Sequence, residues 1–163
     1  MADTKQMLFS KNLICLCIDG NENADYQGKL YHQYSDDAIE FRGLTDAVIR
    51  TEELFDEWDF PQRGLAQRRF KKHTREEKRP KPGADGDDRL PIEIIRDEKG
   101  VRNVQNKKGA LGTFIIQVRY RQRASWQGQV IWLEKNELMD FISVLELLKI
   151  IDSSMQTDTS NKE

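Results

Sequence analysis

Placing residue n of the chain over residue n+100, with no gap, brings Tyr26-Gln27-Gly28 onto Trp126-Gln127-Gly128 and Ala24 onto Ala124. Farther along, Phe41 falls on Phe141, and Gly43-Leu44-Thr45-Asp46 falls on Ser143-Val144-Leu145-Glu146. The matches are few, but they fall where turns and helix starts make structural demands. Self-similarity at a fixed offset marks a repeated structural unit, so a fold proposed for one stretch must also suit the other.

Hydrophobic periodicity fills in the unit. Leu13 to Ile18 is apolar at almost every position, as in a strand covered on both faces. Its counterpart alternates: Phe114, Ile116, Val118 and Tyr120 point one way, while Gln117, Arg119, Arg121 and Arg123 point to a wet face. A second strand follows each Gln-Gly, over Lys29 to Tyr34 and Gln129 to Leu133. Ser35-Asp36-Asp37 and Lys135-Asn136-Glu137 then supply turns before a short third strand ending at Phe41 or Phe141. Ser143 and Glu146 form a capping box, with Gly43 and Asp46 as its weaker equivalent. Leu44, Val48 and Phe55, like Val144, Leu148, Ile151 and Met155, follow at helical spacing. The expected fold is α+β: an antiparallel meander plus helix, β-β-β-α, duplicated with pseudo-symmetry over residues 12–59 and 112–156. Neither copy has core enough to stand alone, so the two share one sheet or pack face to face.

Charge divides the chain differently. Residues 12–59 carry 3 basic and 12 acidic side chains, residues 60–110 carry 15 and 8, and residues 113–155 carry 5 and 5. The connector, residues 60–111, is poor in apolar residues, and all four prolines fall at positions 61, 80, 82 and 91. Such composition cannot offset its ordering entropy and predicts a disordered basic linker, with residues 62–89 and 157–163 mobile. Pro91-Ile92-Glu93-Ile94-Ile95 is the exception, read as an edge strand over 91–96 with a tight turn near Gly100.

No catalytic motif is present: there is no Gly-x-Ser-x-Gly, phosphate loop or dinucleotide fingerprint, so neither enzyme activity nor a cofactor is expected. His32 and His73 lack companions at metal-ligand spacing, and Cys15 and Cys17 read as small buried hydrophobes on one strand face. No apolar run approaches the ~20 residues needed to span a bilayer, and the N-terminus lacks the pattern of a signal peptide, so a cytoplasmic protein is expected.

Two constellations remain as binding candidates. Tyr26 and Trp126, with Gln127, sit in equivalent loops, either as anchors for a protein partner or as rings folded back over their own helices, with Gly28 and Gly128 permitting the backbone turn. Arg119, Arg121 and Arg123 form a row that suits a phosphate backbone or the acidic surface of the first copy. Arg68, Arg69, Lys71 and Lys72 would add a nucleic-acid-binding arm.

Tyr120-Arg121-Gln122, Ala124-Ser125-Trp126-Gln127-Gly128, Trp132-Leu133-Glu134, Phe141, Ser143 and Leu145-Glu146-Leu147-Leu148 ahead of Asp152 resemble a pattern in small uncharacterised proteins of gut Firmicutes. The resemblance covers about a quarter of the chain. It implies a bacterial cytosolic protein and transfers no activity and no site residue. The expectation is therefore a non-enzymatic protein-interaction or adaptor module, able to form a homodimer, with nucleic-acid binding as the alternative.

Overall fold

The computed structural model describes residues 10–22, 25–62, 90–121 and 125–160, with side chains described as far as 156. Among these, the elements are β1 (Ile14–Glu22), β2 (Asp25–His32), β3 (Ile39–Arg42), α1 (Leu44–Trp58), α2 (Pro91–Lys99), β4 (Gly112–Tyr120), β5 (Gln127–Trp132), β6 (Glu137–Phe141) and α3 (Val144–Ser160). The chain is α+β, with one six-stranded sheet in the order β3-β2-β1-β4-β5-β6. Every neighbouring pair is antiparallel. Three strands and a helix thus lie on each side of the central β1–β4 seam.

The strand pairings repeat at the 100-residue offset. Gly28 lies opposite Ile18 and Phe41, and Gly128 opposite Val118 and Phe141. A bulge interrupts β1 between Ile18 and Gly20, and another interrupts β4 between Val118 and Tyr120. The glycines serve close approach rather than a turn. A Cβ on Gly28 would lie 1.9 Å from the Cys17 carbonyl oxygen, and one on Gly128 would lie 1.9 Å from that of Gln117. Tyr26-Gln27-Gly28 is accordingly strand, not loop, and Gln127-Gly128 opens β5.

The core has two layers. On the helix side Ile14, Leu16, Ile18, Phe114, Ile116 and Val118 of the central strands meet Ala47 and Phe55 of α1 and Leu147, Ile151 and Met155 of α3. Positions 47, 55, 147 and 155 are buried at the same offset because both helices present one face to one sheet. On the other side Leu13, Cys15, Cys17, Ile115 and Ile131 pack with Val104. That covers β1 on both faces. It also buries Ile115 on the face of β4 that strict alternation had made wet.

The helix starts are secured differently. Ser143 Oγ accepts the Glu146 amide at 3.0 Å. Gly43, at φ 92°, has no side chain to offer. Asp25 takes its place from β2, its Oδ1 accepting the amides of Leu44 at 3.1 Å and Tyr26 at 2.8 Å.

Residues 90–111 correct the expectation for the linker. The segment expected as a strand over 91–96 is the helix α2, because Pro91 occupies the first turn and the Glu93 carboxylate reaches back to the Leu90 amide at 3.3 Å. Ile92 of α2 and Val104 beyond it are buried, so this part of the connector packs on the core. The expected mobile stretch lies outside the described residues over 63–89 and 161–163, and its residues 157–160 belong to α3.

Candidate interaction surface

Tyr26 and Trp126 are buried, and each bonds an acid on the helix of the other half. The Tyr26 hydroxyl donates to Asp152 Oδ1 of α3 at 2.7 Å. Trp126 Nε1 donates to Glu52 Oε2 of α1 at 2.5 Å, and its ring meets Phe55 edge-on at 5.6 Å. The two contacts are reciprocal: each aromatic crosses the seam to an acid on the opposite helix, and both donors and acceptors stand 100 residues apart. Burial, then the bond to Asp152, pushes the Tyr26 phenol up to about 12. These buried rings join the halves. Gln127 is half-buried opposite Tyr120 in the β4–β5 pairing.

The arginine row is broken. Past the bulge at Val118–Tyr120 the alternation shifts by one residue, which exposes Tyr120 and turns Arg121 to the helix side. Arg121 is 1% exposed. Its Nε donates to the Pro61 carbonyl at 2.6 Å, and its Nη1 to Glu52 Oε1 at 2.7 Å and Asp56 Oδ1 at 2.9 Å. The guanidinium also lies 5.4 Å from the Phe55 ring centre. Arg121 is therefore a clamp between β4 and α1, corrected from its expected place on a wet face. Arg119 remains exposed and donates to Gln129 Oε1 at 2.8 Å, while Gln129 Nε2 donates to Asp140 at 2.9 Å. Arg123, Arg68, Arg69, Lys71 and Lys72 lie outside the described residues.

Ile49, Val101 and Tyr120 are exposed at separate places on the described surface, and three further large apolar side chains are exposed close together in sequence. Met139 in β6, Ile142 beyond it and Leu145 in the first turn of α3 are 49%, 69% and 61% exposed. Of the three, Met139 lines an open groove of about 480 Å³ between β5, β6 and α3, together with Trp132, Glu137, Lys149, Ile150 and Ser153. Trp132 stacks on Phe114 at 6.2 Å, which fixes the groove floor, and Lys135 Nζ lies 5.9 Å from the indole centre. In the first half the positions of Met139, Ile142 and Leu145 are Ile39, which packs against the core, Arg42 and Thr45. The 100-residue alignment contained this signal, since two surface positions polar in one copy are apolar in the other.

A second open pocket, about 450 Å³, lies between the β2–β3 turn and α1, with His32, Asp36, Glu57, Trp58, Lys99 and Arg102 on its walls. His32 Nδ1 accepts the Tyr34 amide at 3.1 Å, and the ring lies edge-on to Trp58 at 5.3 Å. Burial, aided by the Arg102 charge, lowers its pKa. Arg102 is engaged with Asp36 at 3.2 Å and with the carbonyls that end α2. Cys15 and Cys17 lie with their sulfurs 3.8 Å apart in the buried second layer, where their mutual hydrogen bond and burial push the Cys15 thiol up. Among the described residues no group of three or more His, Cys, Asp or Glu is placed to hold a metal ion. Among them, too, no helix is long and apolar enough to cross a membrane.

On the described surface the β6–α3 edge thus combines exposed apolar side chains with a groove. Comparison of the chain with protein-family models, curated proteins and solved structures gives no match.

Proposed function

We propose that the chain is a non-enzymatic, cytoplasmic protein-interaction module built from a duplicated β-β-β-α unit, residues 12–59 and 112–156, with its docking surface on the second copy. The observation that carries this reading is the exposure of Met139, Ile142 and Leu145 along the free edge of the sheet. Exposed apolar side chains scattered singly need no explanation, but Met139 on the wall of the groove, with Ile142 and Leu145 following within six residues, makes a surface that gains by being covered. The duplication is supported by the shared bulges, the two close-approach glycines and the reciprocal bonds of Tyr26 and Trp126. In this view the copies keep their framework in common, and one copy has exchanged polar edge positions for apolar ones.

The test is Ile142→Arg combined with Leu145→Arg. Both side chains are exposed, so stability should change by no more than about 0.5 kcal/mol for each. Quantitative affinity purification from native cytosol, with crosslinking, should recover a defined protein set with wild type and lose it with the double variant. Equal recovery with both would contradict the reading. Recovery of nucleic acid instead, unaffected by the double variant and lost steeply with salt, would favour the alternative through Arg119, Arg123, Arg68, Arg69, Lys71 and Lys72.

A further inference from the structure

Resting on that reading of the β6–α3 edge, we propose that its occupant is a second copy of this chain: β6 pairs antiparallel with β6 of the partner, about a two-fold axis through Met139, to give one twelve-stranded sheet. β6 ends the strand order among the described residues, none of which forms a strand on its outer side, and such an edge is a template for further pairing. The opposite edge is guarded. β3 has four residues to the five of β6, and Asp46 Oδ2 already accepts the Arg42 amide at 3.0 Å while holding Arg50 at 3.1 Å; both edges carry two exposed charges, Glu40 and Arg42 on β3 and Glu137 and Asp140 on β6.

Geometry selects the register. A two-fold axis perpendicular to the sheet keeps each face on its own side, so only residues on the same face can lie opposite one another. Pairing all five residues of β6 sets Met139 against the partner's Met139, Leu138 against the partner's Asp140, and Glu137 against the partner's Phe141. No like charges then lie directly opposite. Moving by two residues leaves three pairs, and in one direction sets Asp140 against itself, which like charge disfavours. The full register also carries Lys135 to the start of the partner's α3, where Glu146 stands in the first turn. It places Ile142 across from the partner's Asn136. The axis keeps both α3 helices on one side of the joined sheet, so the Met139 side chains meet beside the two grooves that Trp132 and Ile150 line.

Cysteine crosslinking of the full chain tests both the pairing and its register. In antiparallel strands facing Cα atoms lie ~4.5–5.5 Å apart, within disulfide reach. Under copper(II)-phenanthroline and oxygen, which take up the two electrons and two protons of a thiol pair, Met139→Cys should give a covalent dimer about tenfold faster than Leu138→Cys or Asp140→Cys alone. Mixing the latter two should restore fast crosslinking. The native Cys15 and Cys17 are buried and should contribute little. Sedimentation equilibrium should show a wild-type dimer and a Met139→Lys monomer that still melts cooperatively, its midpoint lowered only by the loss of association. Equal crosslinking at all three positions, or a wild-type monomer at every concentration, would overturn the pairing. A wild-type monomer that still loses a protein partner on Ile142→Arg with Leu145→Arg would sink the pairing alone and leave the interaction reading standing. A dimer insensitive to Met139→Lys would overturn the β6 assignment.

Discussion

The two halves of the sheet meet the same structural demands and differ in how they meet them. Each sends an aromatic donor across the seam to the other's helix, but Tyr26 reaches Asp152 with a second acid, Asp25, nearby, whereas Trp126 shares Glu52 with the Arg121 clamp. The counterpart of Arg121 is Asn21, and that of Asp56 is Gln156, which bonds Asp152 at 3.0 Å. The outer edges diverge as well. The first half has α2 packed beside α1 and a β3 that bears one acid and one base, while the second has an open groove and a β6 that exposes Met139 between two acids, Glu137 and Asp140. Shared positions are those that hold backbone or bridge the seam, and divergent ones lie where a charge or a surface can be exchanged without breaking the frame.

The comparison can be broken where the halves should be alike. Gly28→Ala and Gly128→Ala each force a methyl into a backbone carbonyl, and each should cost about 3 kcal/mol, the upper range for overpacking. Chemical denaturation measures both. Costs that differ widely would mean the two bulged pairings are not equivalent.

It can be sharpened where they should differ. Arg121→Ala leaves Glu52 and Asp56 without their shared cation, but both carboxylates keep more than a third of their exposure. The expected loss is about 2 kcal/mol, below that for a wholly buried pair. Asn21→Ala, at the exposed equivalent position, should change stability by less than about 0.5 kcal/mol. Urea midpoints at equal slope would register the contrast, and equal losses would remove the clamp from the explanation.

The smallest effect belongs to the tyrosine latch. Tyr26→Phe removes one hydrogen bond and should cost about 1 kcal/mol at neutral pH. Because the folded phenol titrates near 12, above its ordinary value of 10, its contribution is complete below pH 10 and lost as pH rises through about 12. The stability gap between wild type and Tyr26→Phe should therefore narrow over that window. A gap constant with pH would place the hydroxyl outside the bond to Asp152.

Much of the frame could be read from residue order, because period-2 and period-3.6 patterns and the Ser143–Glu146 cap act locally. The site could not, for three physical reasons. A one-residue bulge reverses every later side chain, so alternation carried Arg121 to the wrong face. The reach of Tyr26 and Trp126 across the seam depends on strand order, which periodicity does not contain. Ile92, Ile94 and Ile95 fit a strand or a short amphipathic helix, and Pro91 with Glu93 decides for the helix. Sequence spacing did align Glu52 with Asp152, but only the fold gives that alignment meaning.

Separating the halves tests most directly whether each depends on the other. Fragments 1–89 and 90–163 should each lack a cooperative melting transition and dispersed amide resonances when alone, because Tyr26 and Trp126 lose their acceptors and β1 and β4 lose one neighbour each. Mixed at equal concentration, they should recover both properties together. A fragment that folds cooperatively by itself, with its aromatic ring packed on its own helix, would contradict the interlocked sheet.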